Sequence, residues 1–176
     1  MKPDVAHLAW PFFDESHRRF AGGLSAWAAD AVGPLADHRD ADGSVRKIVR
    51  ALGEAGWLKA VVPAAHGGLF PTLDVRTLCI AREILGWHDG LADFSFAMQG
   101  LGSHPITAFG SEALKKKYLP PVAAGRHIAA FALSEPRSGS DVANMEMTAE
   151  RDGGNDSGDG SSSDQPGFGH GRTAGP

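Results

Sequence analysis

The sequence has a single cysteine, Cys79, a single tyrosine and no excess of positive charge. One cysteine cannot close an intrachain disulfide and rules out a cysteine-rich zinc site, a usage that fits a reducing, cytoplasmic setting. With 17 Lys and Arg against 21 Asp and Glu, the formal net charge is −4. That is the wrong sign for a protein drawing its affinity from nucleic-acid phosphates. No apolar run approaches the roughly 20 residues of a membrane span, and the opening MKPDVAHLAWPFF lacks the continuous apolar stretch of a signal peptide. What is present is a chain of 176 residues, 42% apolar, long enough to fold one ordinary core without staples.

Glycine is unevenly spread, with eight of the 23 in residues 152–176. That stretch (DGGNDSGDGSSSDQPGFGHGRTAGP) carries one large apolar side chain, Phe168. It cannot bury enough apolar area to offset an ordering cost of about 1–2 kcal/mol per residue, so it is expected to be disordered. The body before it reads as mainly α. A helix is expected over 14–31, closed by Gly33-Pro34. A second begins near Ser44 as N-cap and carries Val45, Ile48, Val49 and Leu52 as one stripe, with Gly53 and Gly56 ending it. A third covers about 72–85, with Cys79 on its apolar face as a small core filler. Residues 90–109 read as two short helices broken near Gly102 and Pro105. Ser111 caps another helix through Tyr118, with Lys115, Lys116 and Lys117 in its last turn, where cations suit the helix dipole. After Gly125, HIAAFAL (127–133) is short, apolar and flanked by turns, the length of a buried strand, and 145–151 is a candidate for a second. The domains expected are thus 1–125, helical; 126–151, the start of a β domain; and 152–176, the tail.

Residues with catalytic potential are mostly isolated. His66, His88, His104 and His127 lack partners at metal-ligand spacing, and His38 in Asp37-His38-Arg39-Asp40 fits a solvated turn, so no metal site is expected. The lysines at 115–117 fit a solvated helix. The loop 134–141 (SEPRSGSD) carries more. Pro136 stops a strand, and Gly139 allows a ligand close to the backbone. The N–H groups of Ser138, Gly139 and Ser140 can form a nest for an anion such as a pyrophosphate, and the hydroxyls of Ser134 and Ser140 can donate and accept. By itself such a loop is more often a plain connection.

FGSEALKKKYLPPVAAG followed by HIAAFALSEPRSGSDVA resembles the acyl-CoA dehydrogenase family, in which a helix with a KKKYLP-like run leads into an A-L/V-S/T-E-P-x-x-G-S-D signature. ALGEAGWLKAVVPAAHGGL is similar to the family's helix, apolar passage and P-x-x-x-G-G loop, and the similarity covers about 12–151. The resemblance implies an N-terminal helical domain, then the first strand or strands of a middle β domain, with FAD as cofactor and an acyl-CoA as substrate. In that family a proton leaves Cα of the acyl group and hydride passes from Cβ to the flavin. Phe131, Ala132, Leu133 and Ser134 would then run along the flavin. Ser140 would contact both FAD phosphate and the CoA portion, and Phe96, Met98 and Leu101 would line the acyl pocket. Ser134 stands where Thr is more common and keeps the hydroxyl. Arg137 stands where a small residue is usual, adding a phosphate contact or crowding the turn.

After MTAERDGG the family continues with a W-I/V-S/T-N-G-like segment and a C-terminal bundle that supplies the catalytic Glu and the homo-oligomer interface. Here the low-complexity tail follows. The chain therefore reads as a truncated member, with no catalytic residue assigned, and neither tight retention of FAD nor oxidation of acyl-CoA is expected of it alone. A non-catalytic acyl-CoA-binding or protein-interaction helical module is the alternative. A phosphate-binding regulator using the nest and the lysines is a third reading. A strand at 127–133 stripped of partners would be an aggregation-prone edge. Limited proteolysis should leave a resistant core ending near Gly125; uniform resistance through Arg151 would contradict that expectation.

Overall fold

The structure, a computed structural model, describes residues 3–147. It divides into two compact units, the first ending at Phe131 and the second beginning at Ala132. The first consists of five α-helices with short 3-10 turns between them: α1 (Glu15–Leu35), α2 (Ala41–Glu54), α3 (Val75–His88), α4 (Gly90–Phe109) and α5 (Glu112–Ala123). α1 packs on α3, α3 on α4, and α4 also on α2 and α5. The stripe expected on α2 is buried at Ile48, Val49 and Leu52, where it meets Leu24, Ala28 and Val32 of α1 and the 3-10 turn Trp57–Val61 in one core. None of the described helices is long and apolar enough to cross a membrane.

Four of the five helices run further than the sequence punctuation suggests, while α3 is shifted three residues onward. α1 passes through Gly33-Pro34 to Leu35, because the carbonyl that Pro34 cannot bond belongs to exposed Asp30, where water can satisfy it. α2 starts three residues before Ser44: Asp40 is the N-cap, accepting from the Gly43 amide at 3.0 Å. Ser44 is instead buried, its hydroxyl accepting from Asp37 N–H (2.8 Å) and donating to Asp37 C=O (3.1 Å). α4 is one continuous helix, not two, with Pro105 inside it; the carbonyl left unbonded is that of exposed Leu101. α5 continues through Pro120-Pro121 to Ala123, so Lys115, Lys116 and Lys117 lie in mid-helix, with Lys115 paired to Glu112 at 3.2 Å. Cys79 is exposed, not a core filler: the buried stripe of α3 is Thr77, Ile80, Ala81, Ile84 and Leu85, and position 79 falls off it.

The strand expected at 127–133 is not formed. Among the described residues there is no strand, only an isolated bridge between Pro63 and Phe70. The Ala129 amide bonds a side chain, Gln99 Oε1, instead of a neighbouring strand. The second candidate strand, 145–151, lies partly outside the described residues, as does the whole tail from 152.

Two polar devices fix the helices. At the start of α1, buried His17 accepts from the Asp14 backbone N–H through Nδ1 (2.9 Å), so Nδ1 carries no proton and Nε2–H points to Asp74 Oδ2 at 3.2 Å. Asp74 in turn caps α3 by accepting from the Thr77 amide (3.1 Å) and from Arg76 (3.2 Å). Arg76 also reaches the Phe12 carbonyl at 3.0 Å. Burial alone would raise the Asp74 carboxyl, but the Thr77 amide, the Arg76 guanidinium and the His17 ring outweigh it and hold it below the usual carboxylate value. Between α3 and α4, Arg82 forks onto Asp93 at 2.8 and 2.9 Å, and that carboxylate pushes the guanidinium upward.

Backbone also approaches backbone closely between α2 and the end of α5. A Cβ on Gly53 would lie 2.3 Å from Gly125 N, and Gly125, at φ +67°, would put its own Cβ 2.5 Å from Val49 O. Gly53→Ala should therefore cost about 1–3 kcal/mol by overpacking, read from urea unfolding; an unchanged midpoint would contradict the contact. Asp74→Ala should cost about 1–3 kcal/mol at pH 7. Because the folded carboxyl is held low, its contribution is complete above the unfolded value of about 3.9 and is lost as pH falls through the folded value. The gap between parent and variant should thus narrow below about pH 4, and a gap constant from pH 7 to 3 would contradict this role for Asp74.

Candidate functional site

The residues singled out by sequence fall on three pieces of chain: α4, the segment that leaves α5, and the loop of the second unit. On α4, Phe96 is buried in the core, Met98 is half-buried and Leu101 is exposed. Their spacing explains the difference. Phe96 shares a face with Ala92 and Gln99, which point inward, whereas Leu101 lies off that face. Gln99, which sequence reasoning passed over, is fully buried and holds the leaving segment at Ala129. A glutamine inside the apolar run FSFAMQGLG is the signal that was available, since a polar group in such a run needs partners.

The leaving segment ends the first unit at Phe131, which is 42% exposed. Ala132, exposed, opens the second unit, followed by half-buried Leu133 and exposed Ser134. Among the described residues, the backbone N–H groups of 131–134 have no hydrogen-bond partner. This run of chain is neither helix nor strand and is exposed except at Leu133.

The loop of the second unit is organised by Glu135. Its backbone N–H donates to Ser138 C=O (2.8 Å) while Ser138 N–H donates back to Glu135 C=O (3.2 Å), closing a tight turn over Pro136 and Arg137. The Glu135 carboxylate accepts from the Glu146 and Met147 amides at 2.7 and 3.0 Å and so fastens the far side of the loop. Buried Ser138 donates its hydroxyl to Asp141 C=O, and Asn144 donates to the Asp141 carboxylate. The three-amide nest therefore shrinks to two. Ser138 N–H is used within the turn, whereas Gly139 and Ser140 keep theirs without a partner among the described residues, and Ser140 is exposed. Arg137 does not crowd the turn: it is exposed and pairs with Glu146 at 3.4 Å. No sequence spacing pointed to the Glu135 carboxylate, because its partners are backbone amides eleven and twelve residues on.

Other chemistry-bearing groups stand apart from these pieces. His38, expected in a solvated turn, pairs with Asp89 at 2.8 Å, and His7 with Glu83 at 3.3 Å. No group of three or more His, Cys, Asp or Glu among the described residues could hold a metal ion. A cavity of about 510 Å³ lies between residues 3–9 and α1, lined by Leu8, Arg18, Ala21, Ser25, Ala29 and His88 among others. None of the sequence-predicted site residues lines it.

Known proteins resemble this chain in sequence and fold. The family model for "Acyl-CoA dehydrogenase, N-terminal domain" matches residues 14–126. A probable acyl-CoA dehydrogenase of Bacillus subtilis (strain 168) is 39% identical over 140 residues, covering 78% of this chain and 23% of that protein. The mitochondrial isovaleryl-CoA dehydrogenase of Arabidopsis thaliana is 35% identical over 147 residues, covering 81% of this chain and 36% of that protein. Among solved structures, an acyl-CoA dehydrogenase complexed with FAD from Bacillus anthracis aligns with a TM-score of 0.65 at 34% identity, covering 85% of this chain and 27% of that one. The chain thus spans about a quarter to a third of the length of these relatives. Fold, sequence and the matched span agree, and the chain belongs to the acyl-CoA dehydrogenase family, whose N-terminal domain it contains.

Proposed function

We propose that the chain supplies the helical domain and one wall of the cofactor site of an FAD-dependent oxidoreductase that dehydrogenates an acyl-CoA thioester between Cα and Cβ. The observation that carries the reading is the exposed run from Phe131 to Ser134, whose backbone donors have no partner among the described residues. It emerges from a helical unit of this family's N-terminal type. Unpaired N–H groups beside an exposed hydroxyl are the donor set that the polar edge of a flavin requires, so the residues present fit the cofactor. FAD, once bound, supplies the hydride acceptor.

The chain's own residues have three tasks in this reading. Phe131, Ala132, Leu133 and Ser134 orient the flavin through backbone groups and the Ser134 hydroxyl. Ser140, with the free amides at 139 and 140, meets FAD phosphate and the CoA portion, as successive N–H groups suit an anion. Met98 and Leu101 give the acyl group an apolar wall, with Phe96 packed beneath them. The carboxylate that takes the α-proton belongs, in this reading, to a part of the fold beyond the span matched here, as does the homo-oligomer contact. The chain by itself is therefore expected to bind and not to turn over. The lone cysteine fits operation in a reducing compartment such as the cytoplasm.

Titrating the purified chain with FAD, then with an acyl-CoA, tests this. Flavin fluorescence should change saturably, the effect should weaken about tenfold in Ser140→Ala if its phosphate contact is worth about 1.4 kcal/mol, and no acyl-CoA-dependent dye reduction should follow. Acyl-CoA binding with no response to FAD would instead establish the non-catalytic acyl-CoA-binding module, and neither ligand binding would refute both.

A further inference from the structure

Gln99 is fully buried on α4, where an amide side chain is tolerated only if donor and acceptor are both matched. Nε2 donates to Ser95 C=O one turn earlier, at 3.1 Å. That bond turns Oε1 outward from α4, where it accepts from the Ala129 N–H at 2.8 Å, 30 residues further along the chain. One turn on, Gly102 meets the next peptide: a Cβ there would lie 2.6 Å from Ala130 O and 2.8 Å from Ala130 N. Positions i and i+3 of one helix thus hold two consecutive residues, 129 and 130, immediately before Phe131. The same helix carries Met98 and Leu101 on a neighbouring face.

Resting on the flavin reading above, we infer that Gln99 is a positioning residue for the cofactor, with Gly102 as its steric counterpart. By clamping 129–130 to α4, the pair fixes where Phe131 presents itself to the flavin. It also fixes that point relative to Met98 and Leu101, because one rigid helix carries both. Flavin orientation and acyl depth are then set by a single element, and neither is adjusted by the loop alone. A glutamine at 99 suits this task because it needs no charge in a dry site and offers one donor and one acceptor in opposite directions. Glycine at 102 is required by the approach of the Ala130 backbone, not by a turn.

Hydrogen exchange on the full chain reads the clamp directly, and FAD titration reads its consequence. In the unsubstituted protein the Ala129 amide should be protected, while the Phe131 amide exchanges freely. Gln99→Met, of similar length but without the acceptor, should speed Ala129 exchange about tenfold and weaken FAD binding several-fold, with amides of α2 and α3 unchanged. Gly102→Ala keeps Gln99 and favours the helix. By pushing Ala130 off α4 it should also weaken FAD binding and speed Ala129 exchange while amides of α2 and α3 stay protected, a local pattern that a merely structural role would not produce. Ala129 exchange unchanged in Gln99→Met would overturn the clamp. Faster exchange with undiminished FAD affinity would overturn its role toward the flavin. If Gln99→Met fails to fold, the Gly102→Ala titration decides. No FAD binding by the unsubstituted chain would contradict the flavin reading beneath the inference, while Ala129 exchange would still decide the clamp.

Discussion

Two places where backbone meets backbone govern the path of the chain after its last helix. At the first, Gly53 of α2 lets the turn at Ala124-Gly125 lie against it with no room for a side chain. At the second, Gly102 of α4 does the same for Ala130, and Gln99 adds a buried hydrogen bond to Ala129. Between these points residues 125–130 have little freedom, although they form neither helix nor strand. The position of Phe131 at the end of the first unit depends on this docking, since the two residues before it are held against α4.

The helical unit is correspondingly over-determined elsewhere. Its core is a continuous apolar cluster, and the His17–Asp74 link sits at helix ends, where unpaired backbone groups most need partners. His17, Asp74 and Arg76 join the beginnings of α1 and α3 with the preceding chain at Phe12. Arg82 and Asp93 join α3 to α4. In the second unit the organising group is a carboxylate inside the signature, Glu135, spent on two backbone amides rather than on chemistry. Ser134, Gly139 and Ser140 are exposed in the same loop.

What could be read from sequence follows from how local each determinant is. The stripe Ile48, Val49 and Leu52 depends only on helical spacing, and it is buried as expected. The family resemblance rested on contiguous motifs and holds over 14–126. The prolines misled because their cost depends on whether the orphaned carbonyl faces water, which spacing does not disclose; Pro34, Pro105, Pro120 and Pro121 all sit inside helices. Cys79 misled because a wide apolar face was inferred where the buried stripe is narrower. The strand at 127–133 misled because a strand is defined by its partner, and here the amide at 129 is taken by a side chain 30 residues away. Long-range pairs of this kind, like Gly53 with Gly125 or Glu135 with 146–147, leave no spacing signal.

The chain therefore presents a helical scaffold and a segment, 131–134, whose backbone donors have no partner among the described residues, in a family with a solved member from Bacillus anthracis complexed with FAD. In the proposed reading, α4 ties the acyl wall at Met98 and Leu101 to the scaffold that holds residues 129–130. The most direct measurement is amide hydrogen exchange of the chain with and without saturating FAD, read residue by residue from 129 to 141. The account predicts new protection at Phe131, Ala132, Leu133, Ser134, Gly139 and Ser140, with the helical core unchanged. Protection confined to other residues, or none at all with FAD bound, would contradict it.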